Sequence, residues 1–458
     1  MKTFFVHSLA MVLTACMSGT SLQAGSYAQL SSSETQLGDP APKLVTLNQD
    51  DAVGGGISNA KGTITFKEAG TYFVMAAGQV GSADGKGQGA VRLWVKQNGE
   101  DVANSNTEQT ILPGFTSVLV CQGVAEVKAG DKLALAFSVS KAGEKLGLIA
   151  SKPKNEPAVP SMIFSAFKVD GSAWAQLSST ETQTSGTAPK LVSLNQTDSA
   201  KEIENNKGVV TIKQAGTYFV MAAGQAGGTS GKDKGNVRLW VRQNGTDVAN
   251  SNTEQTIDGS FTGVLVCQGV MECNAGDKVE LLQSATGKGL GMIASTPKGE
   301  PVVPSMILSI VKVDDSSYAQ LSSTESQGAA AAAKDLTLNQ TDAAKEIANE
   351  NGAVTIKKAG FYFVVAAGQA GSAKGDGKGN LRLWLRQNGK DVDNSNTEQT
   401  INGKYTAVLV CQGVGEMKAG DKLKLTQSAT GAGVGMIAST PKDEPVVPSM
   451  IFSIIKVD

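Results

Sequence analysis

The feature that most constrains this chain is a threefold internal repeat. Ser-Tyr-Ala-Gln-Leu-Ser at Ser26–Ser31 returns as Ser-Ala-Trp-Ala-Gln-Leu-Ser at Ser172–Ser178, and as Ser-Ser-Tyr-Ala-Gln-Leu-Ser at Ser316–Ser322. Each copy closes on Lys-Val-Asp, at Asp170, Asp314 and Asp458, so successive ends lie 144 residues apart. Solenoid repeats run about 20–50 residues, so this period marks whole domains in tandem. The units are residues 25–170, 171–314 and 315–458, after a leader at 1–24. A domain of about 150 residues buries roughly 68–70% of its unfolded surface, enough for each unit to hold its own core.

The pattern within a unit is all-β. Runs rich in Val, Ile, Thr, Tyr and Phe alternate with Gly, Asn, Asp and Pro clusters, and about eight strands per unit suggest a sandwich or jelly roll. The run Val91 to Lys96 alternates, with Arg92 and Lys96 on one face, as in a strand with one wet side. Tyr72 to Ala77 and Met162 to Phe167 are instead apolar on both parities, and Met306–Val311 and Met450–Ile455 repeat the second of these. A strand apolar on both faces needs cover on both, and a lone sandwich covers only one. The second cover must be another unit or a partner protein. Phe73, Phe219 and Phe363, with Met75, Met221 and Val365, share one parity and are expected to face an axis between units. Tyr72, Tyr218 and Tyr362 are expected to face the sandwich cores.

Composition removes several kinds of chemistry. The one histidine, His7, lies in the leader, so a mature chain has no imidazole for a Ser-His-Asp or Cys-His nucleophile or for a His-ligated zinc. Lys plus Arg is 41 against 42 Asp plus Glu, a formal net charge of −1, which argues against a nucleic-acid binder. Residues 1–24 read as an export signal. Lys2 supplies the positive region, and Phe4 to Ala15 form an apolar stretch too short to span a bilayer core of about 30 Å. Two processing sites stay open: after Ala24, giving a secreted chain, or at Cys16 in Leu13-Thr14-Ala15-Cys16, giving a lipid-tethered one. Cys121, Cys267 and Cys411 occupy one slot in Val-Leu-Val-Cys-Gln-Gly-Val, and Cys273 stands alone. One repeated cysteine per unit on an apolar strand reads as a buried small hydrophobe, not as a disulfide framework.

At the strand residues the chain resembles the globular domain shared by complement C1q and tumour necrosis factor. Ile64 to Val74 carries the family's aliphatic strand followed by Gly-x-Tyr and an apolar pair, and Val210 to Val220 and Val354 to Val364 repeat it. Phe361 supplies an apolar residue where Thr71 and Thr217 depart from the pattern. The Val91–Asn98 strand, the Gly130-Asp131 turn and the last strand at Ser161–Val169 fall where the family places them. The resemblance implies a ten-stranded jelly roll that trimerises, with first and last strands adjacent on an inner sheet, and members that bind partners without catalysis. The expected fold class is therefore all-β: three tandem jelly-roll sandwiches closed as an intrachain pseudo-trimer.

The candidate sites are few. Asn-Ser-Asn-Thr-Glu-Gln-Thr-Ile recurs unchanged at Asn104–Ile111, Asn250–Ile257 and Asn394–Ile401. It reads as polar loop, with either turn chemistry or a repeated ligand contact through Asn106, Glu108 and Gln109, Asn252, Glu254 and Gln255, and Asn396, Glu398 and Gln399. The Gly-rich segments at Gly81–Gly89, Gly227–Gly235 and Gly371–Gly379 offer one Asp each (Asp84, Asp233, Asp376), too few for the 6–8 oxygens calcium takes. Nine of the 13 prolines precede the last strands, around Pro157, Pro301 and Pro445, as a stiff loop or a docking face. Arg92/Lys96, Arg238/Arg242 and Arg382/Arg386 read as a solvated face. No catalytic, cofactor or metal residues stand out. The expectation is an exported or cell-surface recognition protein for a protein or glycan partner, monomeric, touching membrane only through an N-terminal lipid. The rivals are a structural envelope or matrix component and a carboxylate-dependent glycan hydrolase.

Overall fold

The computed structural model describes residues 25–457; both processing sites, Cys16 and Ala24, and the terminal Asp458 lie outside them. The described residues hold strands and no helix, arranged as six antiparallel sheets of seven strands, two per unit. The count is fourteen strands per unit where about eight were expected. The surplus consists of short ladders such as Gln36–Leu37, Lys43–Leu44 and Glu100–Asp101, too brief to leave a period in the sequence.

In the first unit the inner sheet is organised around the long strand Gly70–Ser82. Ser117–Val127 pairs along one edge, and Met162–Lys168 with Leu146–Leu148 along the other. Tyr27–Ser32 joins Met162–Lys168, so the first and last strands of the unit are neighbours, Tyr27 opposite Phe167. The outer sheet runs Thr107–Ile111, Gly89–Gln97, Lys132–Val139, Thr63–Phe66, Ile57–Ala60. Units 2 and 3 repeat this plan.

The two faces of the long strand do different work. Tyr72 turns into the sandwich, edge-on to Phe66 at 4.6 Å, with its hydroxyl donating to Glu68 O. Phe73 points the other way and is fully buried, because the three units close on one another. The rings of Phe73, Phe219 and Phe363 meet at centroid distances of 5.5 to 5.8 Å. Phe167 joins them, 5.3 Å from Phe73 and 5.1 Å from Phe363. Met75, Met221 and Val365 share that parity and are also fully buried. Such rings stabilise by about 1.5–3 kcal/mol each in burial alone, with geometry adding roughly 0.5–1.5 per aromatic pair. The links fit this closure: Ser172 N donates to Asp170 Oδ1 at 2.7 Å and Ser316 N to Asp314 Oδ1 at 2.8 Å, turning the chain tightly into the next unit.

Candidate functional site at the seams between units

The repeated Asn-Ser-Asn-Thr-Glu-Gln-Thr-Ile motif is not a free loop. Thr107–Ile111 is the edge strand of the outer sheet, with Glu108 opposite Arg92. An edge strand carries a row of unpaired backbone groups, and here the neighbouring unit takes them up. Gln225 of unit 2 clasps Glu108, accepting from its N–H at 2.9 Å and donating to its carbonyl at 2.7 Å. Gln369 does the same to Glu254, and Gln79 to Glu398, so the clasp runs 1 to 2, 2 to 3 and 3 to 1. Main-chain bonds extend it: Thr110 N to Thr262 O, Thr256 N to Thr406 O and Thr400 N to Thr116 O, at 2.9 to 3.0 Å.

Asn106, Asn252 and Asn396 are fully buried and donate to the carbonyls of Pro301, Pro445 and Pro157, each on the next unit, at 2.9 Å. Gln109, Gln255 and Gln399 are buried as well and donate across the seam to Thr262 O, Thr406 O and Thr116 O. These residues therefore hold the units together in the closed chain. The expectation of a polar loop is corrected on this point: the motif is an edge strand whose backbone and whose Asn and Gln amide nitrogens bind the neighbouring unit. The proline-rich segments are docking faces within the same molecule.

The arginine pairs divide. Arg92, Arg238 and Arg382 are 13–15% exposed at the side chain, not solvated as expected. Each binds its own unit's glutamate through Nε at 2.6 Å: Glu108, Glu254 and Glu398 respectively. Each also reaches the next unit through Nη1, to Glu300, Glu444 and Glu156, at 3.2 to 3.3 Å. Lys96, Arg242 and Arg386 stay at the wetter end of the strand, paired with Asp101, Asp247 and Asp391.

Sequence reasoning missed two further sets. Gln29, Gln176 and Gln320, in the repeated Ala-Gln-Leu-Ser, accept from Val414 N, Val124 N and Val270 N of adjacent units at 3.0 Å. Phe115, Phe261 and Tyr405 gather away from the phenylalanine cluster, with Tyr405 5.6 and 5.5 Å from the other two rings. Burial pushes the Tyr405 hydroxyl pKa up, and it accepts from Gln255 Nε2. The signal for this trio was present: an aromatic followed by Thr stands at the same place in all three copies.

Beside the closure residues, two of the seams have a groove at positions where the copies differ. At the seam of units 3 and 1 it measures about 500 Å³, floored by Val364, Leu385 and Leu423 and rimmed by Asp51, Asp393 and Glu416. At the seam of units 1 and 2 the equivalent space is about 240 Å³. One strand position differs in all three copies: Gly415 lines the larger groove, Ala125 the smaller, and Met271 stands there at the seam of units 2 and 3, 6% exposed. A Cβ built on Gly415 would meet nothing within 4 Å. In each seam an aspartate accepts from an asparagine of the neighbouring unit: Asp51 from Asn394, Asp198 from Asn104 and Asp342 from Asn250, at 2.6 to 2.7 Å. Desolvation raises all three carboxyl pKa values, partly offset by that hydrogen bond. Asp393 adds like charge near Asp51 only in the third seam, since Ala103 and Ala249 hold its place elsewhere.

The thiols of Cys121, Cys267 and Cys411 are buried and donate to Ser105 O, Ser251 O and Ser395 O; burial pushes Cys121 and Cys267 up to about 12 and Cys411 further. Asp84 accepts from Ser82 Oγ and Lys86 N, which lower its pKa to about 2. Among the described residues no three His, Cys, Asp or Glu side chains converge as a metal site.

No protein-family model matches the chain, and no curated protein matches it. Among solved structures, murine APRIL at pH 5.0 overlaps at 10% identity over 30% of this chain and 98% of its own, with a TM-score of 0.23. The plant peptide RALF23 in complex with FER and LLG2 overlaps at 12% identity, 63% and 96% coverage and a TM-score of 0.15. PNGF-II overlaps at 9% identity, 85% and 98% coverage and a TM-score of 0.20. At these scores the overlaps carry no argument; the sandwich architecture and its threefold closure rest on the sheets and contacts above.

Proposed function

We propose that this chain is an exported, non-catalytic recognition protein of the C1q and tumour-necrosis-factor kind, a trimer made from one polypeptide that binds a protein or glycan partner at its seam grooves. One contrast carries the reading. The polar residues that clasp the seams, the Asn106, Glu108, Gln109, Arg92 and Gln225 sets, are identical in all three copies, whereas two groove positions differ in size and charge: Gly415 against Ala125 and Met271, and Asp393 against Ala103 and Ala249. Closure alone would explain the first set and leaves the second without a role. Among the described residues only Leu37, Leu44 and Leu112 are large hydrophobics left exposed, so the closed ring offers no broad apolar patch for further assembly. That favours a monomer over a matrix component. The test is a labelled mature chain applied to arrays of glycans and of extracellular proteins. Saturable binding to a defined ligand class supports recognition; no binding, together with growth into larger species as concentration rises, supports a structural role.

A further inference from the structure

The groove between units 3 and 1 differs from the other seams in ways that point to one kind of ligand. It is roomier than the groove between units 1 and 2, and Gly415 stands in it where the other copies carry Ala125 and Met271. It is also the most acidic, with Asp393 added to Asp51 and Glu416, and no lysine or arginine lines it. Its floor is aliphatic: Val364, Leu385 and Leu423 are each no more than 4% exposed. Deep in it lies Gln412, fully buried, whose Nε2 donates to Met75 O while Oε1 has no hydrogen-bond partner, a feature it shares with Gln122 and Gln268 at the other seams. An acceptor left bare in such a place is destabilising. A ligand that donates to it removes that cost.

Resting on the recognition reading above, we propose that this groove receives a lysine side chain projecting from a protein partner. An apolar floor suits a four-carbon stem, and an ammonium is a compact point charge with three donors. Three carboxylates without a cation suit the charge, and Gln412 Oε1 suits a donor. An acidic rim repels anionic groups. A metal ion fits poorly, since the carboxylates do not converge on one point. The groove is open to solvent, so a side chain carried on a larger molecule can enter it. Its wall is the strand Ala407–Met417, whose Val414 N is already held by Gln29.

The test is ligand-observed NMR titration of the intact mature chain with an acetyl-Gly-Gly-Lys-Gly-Gly-amide peptide, alongside the same peptide with norleucine for lysine. The expected result is saturable binding, at least tenfold in favour of lysine and weakening as NaCl rises. Gly415→Met should reduce it at least tenfold, and Asp393→Ala about three- to tenfold. Both substitutions install residues the other copies already carry, so the fold tolerates them, and unchanged melting temperatures verify this. Equal binding of the norleucine peptide, full binding by Gly415→Met, or no binding by the parent chain overturns the assignment. Tighter binding of free cadaverine than of the peptide overturns the protein source. A chain that ignores lysine peptides yet binds a ligand on the arrays keeps the recognition reading and loses this one.

Discussion

Replacing Phe73 by alanine tests whether the closure is part of the folded state. Phe73 is fully buried, yet its ring lies outside the sandwich of its own unit, against Phe167, Phe219 and Phe363. In a closed ring, Phe→Ala costs about 3–5 kcal/mol in lost burial and residual cavity. In three independent domains the same ring would sit on a surface, and its removal would change stability by about 0.5 kcal/mol or less. Calorimetry turns this into temperature. At an unfolding entropy of about 2.1 cal/mol/K per residue, roughly 430 residues melting as one block lose about 3–6 °C. A single unit of about 145 residues melting alone would lose about 10–16 °C, by the same scaling. One transition shifted down by a few degrees is expected. An unshifted melting temperature would refute the axis packing, and a separate transition falling much further would refute its cooperativity.

Other outcomes follow from the same contacts. Gln225→Leu strips Glu108 of both backbone partners, N–H and carbonyl, so chemical denaturation should show a loss of about 2–5 kcal/mol. A loss under about 0.5 kcal/mol would mean that the clasp does not form. Cys121, Cys267 and Cys411 should resist a thiol reagent at pH 8 in the native state and react once the protein is denatured, because burial holds their thiols protonated; rapid native labelling of all three would contradict the packing. Hydrogen bonds hold the turn aspartates Asp131, Asp277 and Asp421 below the usual carboxylate range. Their folded pKa values are lowered, so their contribution is present above about pH 4 and lost as pH falls further. The Asp131→Asn variant should therefore lose less stability on acidification than the parent. An equal or larger loss in the variant would count against these bonds.

The sequence carried the architecture further than the site. Three copies, β periodicity and strands apolar on both faces are consequences of burial, and burial leaves its record in residue type. That made the Phe73 parity legible before any coordinates. The seam motif was misread because its record is ambiguous. Asn106, Glu108 and Gln109 are polar, and polar residues look alike whether water or another unit's backbone satisfies them. Arg92 was misplaced for the same reason, since Glu300, which buries it, lies more than 200 residues away in sequence. The aromatics Phe115, Phe261 and Tyr405 fall in turns, where periodicity is silent and only comparison of the copies shows them. The grooves were legible least of all. They depend on what is missing at Gly415, and an absent side chain signifies nothing until its surroundings are known.

The central claim is that three units of one chain close around a shared axis. Small-angle X-ray scattering of the mature chain tests it most directly. A compact body of about 430 residues has a radius of gyration of roughly 22 Å. Three beads of about 145 residues strung in a line would give roughly 34 Å by the same relation. The account predicts a value near 22 Å with the forward scattering of a single chain, unchanged by dilution. A value near 34 Å, or the mass of three chains, would contradict it.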